Sequence, residues 1–330
     1  MDKTKYINDV MNKQPYSGPK YLYKYRPFDE HAFDMLENEY VWLSKASSLD
    51  DPTECKVTIN EENYFDLVND TIRREVVDQL LEFLYPYSSK ETNERCKQLI
   101  YQCMTPDFRI RNNFLLDASF ELKELAPGVP DEMIVNLVNW MANIPKMIDE
   151  PNIKPQFKTL LLAGLEAREK MGICSLADSP NNEELWKNYA QDGTGYCVEY
   201  EMENYEFNNL LFPVDYVEER QTNLVVQLVK SFIGQMIIAL SNNQLQADKS
   251  SYLRLFTTKN TIWDYQKEWR LLGDTNTKLK APKIKTIYLG KNVSKENEEK
   301  ILDFASKFDF GVYKMDKPSG KKEITYTKFK

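Results

Sequence analysis

The sequence predicts an α+β protein whose mixed, mainly antiparallel sheet core is split by a multi-helix insertion. Three observations carry that expectation. Short aromatic or β-branched runs cluster toward both ends of the chain, at 21–25, 40–44, 172–177, 196–200, 285–290 and 310–315. From 61 to 170, apolar residues recur at spacings of three and four, the period of amphipathic helices. Strands gathered apart from helices, instead of alternating with them, indicate α+β order. The expected division is 1–60 for the first part of the sheet core, 61–170 for the helical insertion and 171–330 for the second part.

Each element has a local reason. YLYKY at 21–25 alternates and is aromatic, which suits a strand ended by Arg26 and Pro27; 29–39 then reads as a helix with Phe33 and Leu36 on one face. YVWLS at 40–44 is a second strand running into the Ser, Asp and Pro turn signals of ASSLDDPTE. In the insertion, Phe65, Val68, Ile72, Val76, Leu80 and Leu84 mark one amphipathic helix, with further helices expected at 93–103, 131–148 and 155–170. GICSLA at 172–177 is a strand, and Ser179-Pro180 reads as a helix start, an N-cap followed by proline. That short helix carries Leu185, Trp186 and Tyr189 on one side, then Asp192-Gly193-Thr194-Gly195 turns into the strand YCVEY. FPVDYVE adds a strand, 221–245 is a long apolar helix, KTIYLG and FGVYKM are strands around a helix at 294–308, and EITYTKF is an edge strand.

Composition narrows the function. A net charge of −8 argues against general nucleic-acid binding, although the tail from 317 to 330 holds five lysines against Glu323. Five cysteines without regular spacing indicate reduced thiols, and a polar start with no long apolar run indicates a cytoplasmic protein without a membrane span. There is a single histidine, His31, placed in the first turn of a helix as a surface or capping residue. This removes histidine metal sites and His-based triads, so no metal is expected. No GxxxxGK[ST] loop and no GxGxxG fingerprint is present.

Four blocks stand out: LYKYR at 22–26, WLSKASSLDDPTE at 42–54, LWKNYAQDGTGYCVEY at 185–200 and WDYQKEWR at 263–270. In order and residue type they resemble a bacterial family catalogued as domain of unknown function 2971. Asp50 stands where that pattern usually has Asn, and Gln266 where it usually has an acid. The family name implies no function, so chemistry must supply one. Arg26, Ser44, Asp51, Glu54, Glu199, Glu268 and Arg270 gather at strand ends among many Tyr and Trp residues. Cleavage of the nicotinamide–ribose bond of NAD needs a carboxylate beside an oxocarbenium-like ribose, an arginine on the pyrophosphate and an aromatic wall, without histidine or metal. The order of a basic first strand end, a second-strand Ser and a late Glu resembles the R-S-E layout of ADP-ribosyltransferases. The resemblance implies Arg26, Ser44 and Glu268 as catalytic residues, with Lys24 and Tyr25 rivals to Arg26. NAD is then the substrate, bound by Arg26, Tyr25, Trp186, Tyr189 and Arg270, with an unknown acceptor macromolecule and a toxin or phage-defence setting. Asp51, Glu54 and Glu199 are further acidic candidates.

Plainer roles stand beside these. Asp51 and Glu54 suit a turn, Trp186 and Tyr189 suit core packing, and Glu268 suits a cross-strand ion pair. Glu199 is expected on the face of its strand opposite Tyr196, Val198 and Tyr200, beside a groove. Asp51 with the Glu54-Cys55-Lys56 triplet also fits a metal-dependent nuclease. A non-catalytic ligand- or protein-binding module, with the helical insertion as the partner surface, is the third reading.

Overall fold

A computed structural model describes residues 2–51, 53–55, 78, 89–103, 114–139, 166, 168–219, 250–316 and 324–329. Two compact units emerge, one of 1–56, 166–220 and 256–330, the other of 57–165 and 221–255. The expected divisions at 60/61 and 170/171 lie a few residues from these boundaries. The segment 221–255, expected with the second half of the sheet core, belongs to the other unit. In that second unit the expected helix at 93–103 is present as Lys90–Cys103, and Phe114–Leu125 forms another that was not foreseen. Expected helices at 61–84, 131–148, 155–170 and 221–245 lie wholly or partly outside the described residues.

The first unit carries the sheet, whose strands are β1 (Tyr21–Arg26), β2 (Tyr40–Lys45), β3 (Met171–Ala177), β4 (Tyr196–Glu201), β5 (Leu211–Pro213), β8 (Glu268–Asp274), β9 (Thr277–Lys280), β10 (Lys283–Leu289), β11 (Gly311–Met315) and β12 (Tyr326–Lys328). Two short strands, β6 (Asp215–Val217) and β7 (Thr258–Asn260), pair in parallel outside it. The order is β12-β11-β10-β4-β1-β3-β2-β9, with β8 paired to β3 and β5 to β8. Among the described residues, only β10 and β11 run parallel within this sheet, so it is mixed and mainly antiparallel. FPVDYVE, expected as one strand, is divided at Val214 between β5 in the main sheet and β6 outside it.

YCVEY reads as a central strand because both of its faces are buried. On one face, the Tyr196 ring packs tilted against Phe28 at 4.7 Å, and the Phe28 ring stacks on Phe33 of helix α2 (Ala32–Glu37). Phe33 in turn meets Phe304 of the C-terminal helix Lys295–Phe308. On the other face, Cys197 packs with Tyr25 and with Leu185 and Trp186 of helix α3 (Glu183–Tyr189). Helix α3 does not start at Ser179. Asn182 is its N-cap, accepting from Leu185 N at 3.1 Å, while Ser179 Oγ closes a turn by accepting from Asn181 N. A helix at Lys3–Met11, read in sequence only as a polar start, buries Tyr6 edge-on against Trp269 at 5.3 Å.

β3 is the branch point of the sheet. One of its edges pairs β8 along its full length, from Met171↔Asp274 to Ala177↔Glu268. The other edge is shared: Gly172 and Ile173 face Lys45 and Ser44 of β2, and Ala177 faces Tyr23 of β1. Between these contacts β1 and β2 separate, and a cleft opens at the fork.

Candidate functional site

The cleft has a volume of about 770 Å³, within the usual range for small-molecule sites. Its walls come from β1, β2 and β3, from residues 48–51 with Glu54, from Tyr189 of α3, and from the segment Lys259 to Glu268. Trp42, Tyr40, Tyr189 and Trp263 give it aromatic sides. Among the described residues, two buried N–H groups on this lining have no partner within the protein, Nε of Arg26 and Nε1 of Trp263.

The floor is a buried ionic cluster built by β8. Strand alternation puts Glu268 and Arg270 on one face, and Arg270 is fully buried. Its Nε donates to Glu268 Oε1 at 2.8 Å and one terminal nitrogen to Glu268 Oε2 at 3.1 Å; that nitrogen also pairs with Glu54. The remaining nitrogen donates to the Phe256 carbonyl at 2.5 Å and lies 3.8 Å from Cys55 Sγ. Lys259 completes the cluster, donating to Glu268 Oε2 at 3.1 Å and Gln266 Oε1 at 2.8 Å, 3.5 Å from Glu54 and over the Trp263 ring. Two acids thus face two cations. Burial pushes the Glu268 carboxyl up, but Arg270 and Lys259 outweigh it and hold its pKa down at about 2. Glu268 is therefore ionised at neutral pH. Arg270 is held charged, its titration raised well above the usual range because Glu268 and Glu54 outweigh burial.

From this cluster a hydrogen-bonded chain runs outward along the cleft. Gln266 donates through Nε2 to Tyr189 Oη at 3.2 Å, and Tyr189 donates to Asp50 at 2.7 Å. Burial first, and then Asp50, raises the Tyr189 phenol, so it stays a neutral donor.

The structure brings Arg26, Tyr25, Ser44, Asp51, Glu54, Tyr189 and Glu268 to this cleft. They do not enter alike. The registers Tyr23↔Ala177↔Glu268 and Ser44↔Ile173↔Leu272 put Ser44 and Glu268 on one sheet face. Arg26, three residues beyond Tyr23, leaves β1 on the opposite face and meets Asp29 at 3.4 Å and Met35 Sδ. The Tyr25 hydroxyl is occupied in fixing the turn before α3, donating to Ser179 O and accepting from Asn182 N. Asp51 accepts from Thr53 N and Oγ1 within the turn it was expected to make. Glu54 sits between two cations, and Lys56 of the nuclease-like triplet lies outside the described residues.

Three candidates sit away from the cleft. Arg270 cannot clamp a pyrophosphate, since it is fully buried below the floor and its donors are taken by Glu54, Glu268 and the Phe256 carbonyl. Trp186 packs edge-on against Tyr25 at 5.3 Å, its Nε1 donating to Pro180 O. Glu199 is on the expected face of β4, but that face is covered. Its carboxylate accepts from Tyr23 at 2.9 Å and Tyr288 at 3.5 Å. Three residues went unmarked in sequence: Lys259, Ser175 and Gln266 as a bridge. Lys259 lies in a plain TTKN stretch, and only the fold carries it to Glu268. His31 occupies the N-cap position of α2 without a side-chain cap bond, its ring near Glu30 at the surface.

Residues 185–271 match a family model described as protein of unknown function (DUF2971). The chain carries a DUF2971 region. That region holds α3 from Leu185 onward, β4, Gln266, Glu268 and Arg270, and so the last two of the four sequence blocks. The first two blocks fall outside it yet meet it in the fold. β1 pairs with β4 from Tyr21↔Glu201 to Arg26↔Tyr196, and Glu54 pairs with Arg270. No curated protein and no solved structure matches the chain. Among the described residues, no group of three or more His, Cys, Asp or Glu is arranged to hold a metal ion, and no helix is long and apolar enough to cross a membrane.

Proposed function

We propose that the cleft of the DUF2971-containing sheet unit binds NAD and breaks its nicotinamide–ribose bond, passing ADP-ribose to water or to a nucleophile on an acceptor macromolecule. One observation supports this above the others: Ser44 and Glu268, far apart in sequence, border one aromatic-walled cleft from the same sheet face. In this chemistry the C–N bond breaks with its electron pair leaving on nicotinamide. The ionised Glu268 carboxylate stabilises the positive charge that develops on the ribose. Lys24 supplies a cation for the pyrophosphate, and Tyr189, Trp42 or Trp263 supplies a stacking surface. Arg270 acts beneath, holding Glu268 ionised and oriented.

A second reading has its own observation. Both Glu268 oxygens already accept from cations, which favours a cleft that binds without reacting. Labelled NAD added to the full chain separates the two. Release of nicotinamide, diminished in Ser44→Ala, Tyr189→Phe and Glu268→Gln variants of retained helicity, supports the enzyme. Binding without release supports the binding module. Neither release, binding nor a labelled acceptor in cell extract refutes an NAD site.

A further inference from the structure

Passing ADP-ribose to water or to a hydroxyl releases a proton, and Glu268 cannot take it. Both of its oxygens accept from Arg270 and Lys259, the Ser175 hydroxyl donates to it as well, and it stays ionised at neutral pH. Most other acids on the cleft lining are committed too. Glu54 lies between two cations, Asp34 is shared among Tyr40, Asn38 and Lys278, and Asp51 is engaged within its own turn. The His31 ring turns to Glu30 at the surface. Asp50 differs. It is exposed at the rim of the cleft, and among the described residues its one hydrogen-bond partner is a neutral phenol, that of Tyr189.

The chain that reaches Asp50 has a fixed direction. A lysine ammonium only donates, so the Gln266 atom that Lys259 meets at 2.8 Å is the amide oxygen, and the NH₂ is left to face Tyr189. That NH₂ donates to Tyr189 Oη at 3.2 Å, so the phenol spends its single proton on Asp50 Oδ2 at 2.7 Å. Every donor from floor to rim thus points outward, and the last one orients a carboxylate whose Oδ1 has no partner among the described residues. We propose that Asp50 is the general base of the transfer, taking the proton of the incoming nucleophile on Oδ1. This rests on the NAD reading and deepens it, by dividing the work between two carboxylates. At the floor, Glu268 stabilises the ribose as the C–N bond breaks and its electron pair leaves on nicotinamide. From the rim side, a lone pair on the nucleophile's oxygen forms the bond to ribose C1′. Its O–H proton passes to Asp50 and from there to solvent. Two carboxylates set apart, with room for a nucleophile between them, is the arrangement by which water attacks a glycosidic bond directly. Gln266 and Tyr189 are positioning residues for Asp50.

The test uses azide, a nucleophile that carries no proton and so needs no base. Nicotinamide release from NAD is measured for the full chain and for Asp50→Asn, in buffer and with cell extract as a source of acceptors, each with and without azide. Asn keeps an oxygen for Tyr189 to donate to, at an exposed position, but cannot take a proton. Loss of a general base predicts roughly 100-fold slower release in Asp50→Asn, with KM for NAD unchanged. Azide then restores release close to that of the unaltered chain, with ADP-ribosyl azide as the product. An Asp50→Asn chain as fast as the unaltered one overturns the assignment. So does a loss that azide leaves in place, because a merely structural Asp50 slows every nucleophile alike. Absence of release by the unaltered chain under all these conditions overturns the NAD-cleaving reading itself, and the base falls with it.

Discussion

At the scale of single residues, Arg270 governs the site without touching the cleft. Two carboxylates, Glu54 and Glu268, converge on a guanidinium with no exposed surface, and Lys259 brings the cluster to neutrality. Such a cluster adds little net stability over an apolar one, but removing one partner leaves buried charge uncompensated. Arg270→Met is therefore expected to cost about 3–5 kcal/mol, read from denaturant unfolding. Adding Glu54→Gln to it should recover part of that loss, because one of the orphaned charges is gone. The acid limb of stability follows from Glu268. Its folded pKa of about 2 lies below the ordinary value of 4.5. Its contribution is complete above pH 4.5 and lost as pH falls from there toward 2, on the order of 3 kcal/mol in all. Unfolding free energies measured through that window should fall more steeply for the unaltered chain than for Glu268→Gln. A sequence shows that Arg270 follows Glu268 by two positions, so a shared strand face was legible. That the face points into the interior was not, because it depends on Glu54, Cys55, Phe256 and Lys259, from distant parts of the chain, covering that face of β8.

At the scale of elements, the turn between α3 and β4 shows what local sequence can carry. Its glycines serve different purposes. Gly193 adopts φ +77°, a left-handed conformation that a side chain strains. Gly195 is required for space: a Cβ there would lie 2.2 Å from the Arg26 carbonyl oxygen and 3.0 Å from that of Ala190. Both obstacles are backbone, so no rotamer change relieves them. Gly195→Ala is expected to lower stability by about 3 kcal/mol, against about 1 kcal/mol for Gly193→Ala, compared by thermal unfolding. Because Arg26 ends β1 at the cleft, Gly195→Ala should also weaken any ligand held there. The turn itself was legible from Asp-Gly-Thr-Gly; the contact with β1 was not, since it joins residues that only the sheet brings together. The start of α3 was misread for a related reason. Ser179-Pro180 satisfies the local rule for a cap, yet Asn182 does the capping and is anchored from outside the helix. Its Nδ2 donates to Tyr265 O at 2.6 Å, beside Gln266. Asn182→Ala is thus expected to cost about 1 kcal/mol or somewhat more than a cap alone.

At the scale of the molecule, the region that a family pattern recognises is not the region that folds. Periodicity made the strands legible one at a time, and their clustering at both ends gave the α+β class. Pairing was hidden, because β1 and β10 flank β4 from positions far before and after it in the chain. The DUF2971 match covers 185–271 and contains β4 and the first four residues of β8. Both long-range partners of β4 lie outside that span, β1 at Tyr21–Arg26 and β10 at Lys283–Leu289. β3, the full-length partner of β8, also lies outside it, at Met171–Ala177. Cut out alone, 185–271 would expose both edges of β4, one edge of β8, and the faces that bury Tyr196, Cys197 and Leu271. It would also hold Arg270 and Glu268 without Glu54. Unpaired edges and unburied apolar faces leave nothing to offset the entropy of ordering the chain. A fragment of residues 185–271 is therefore expected to lack stable tertiary structure, with collapsed amide dispersion in its NMR spectrum and no cooperative thermal transition. A fragment that melts cooperatively would show that the matched region folds by itself, and that the sheet was assembled around a pre-existing domain.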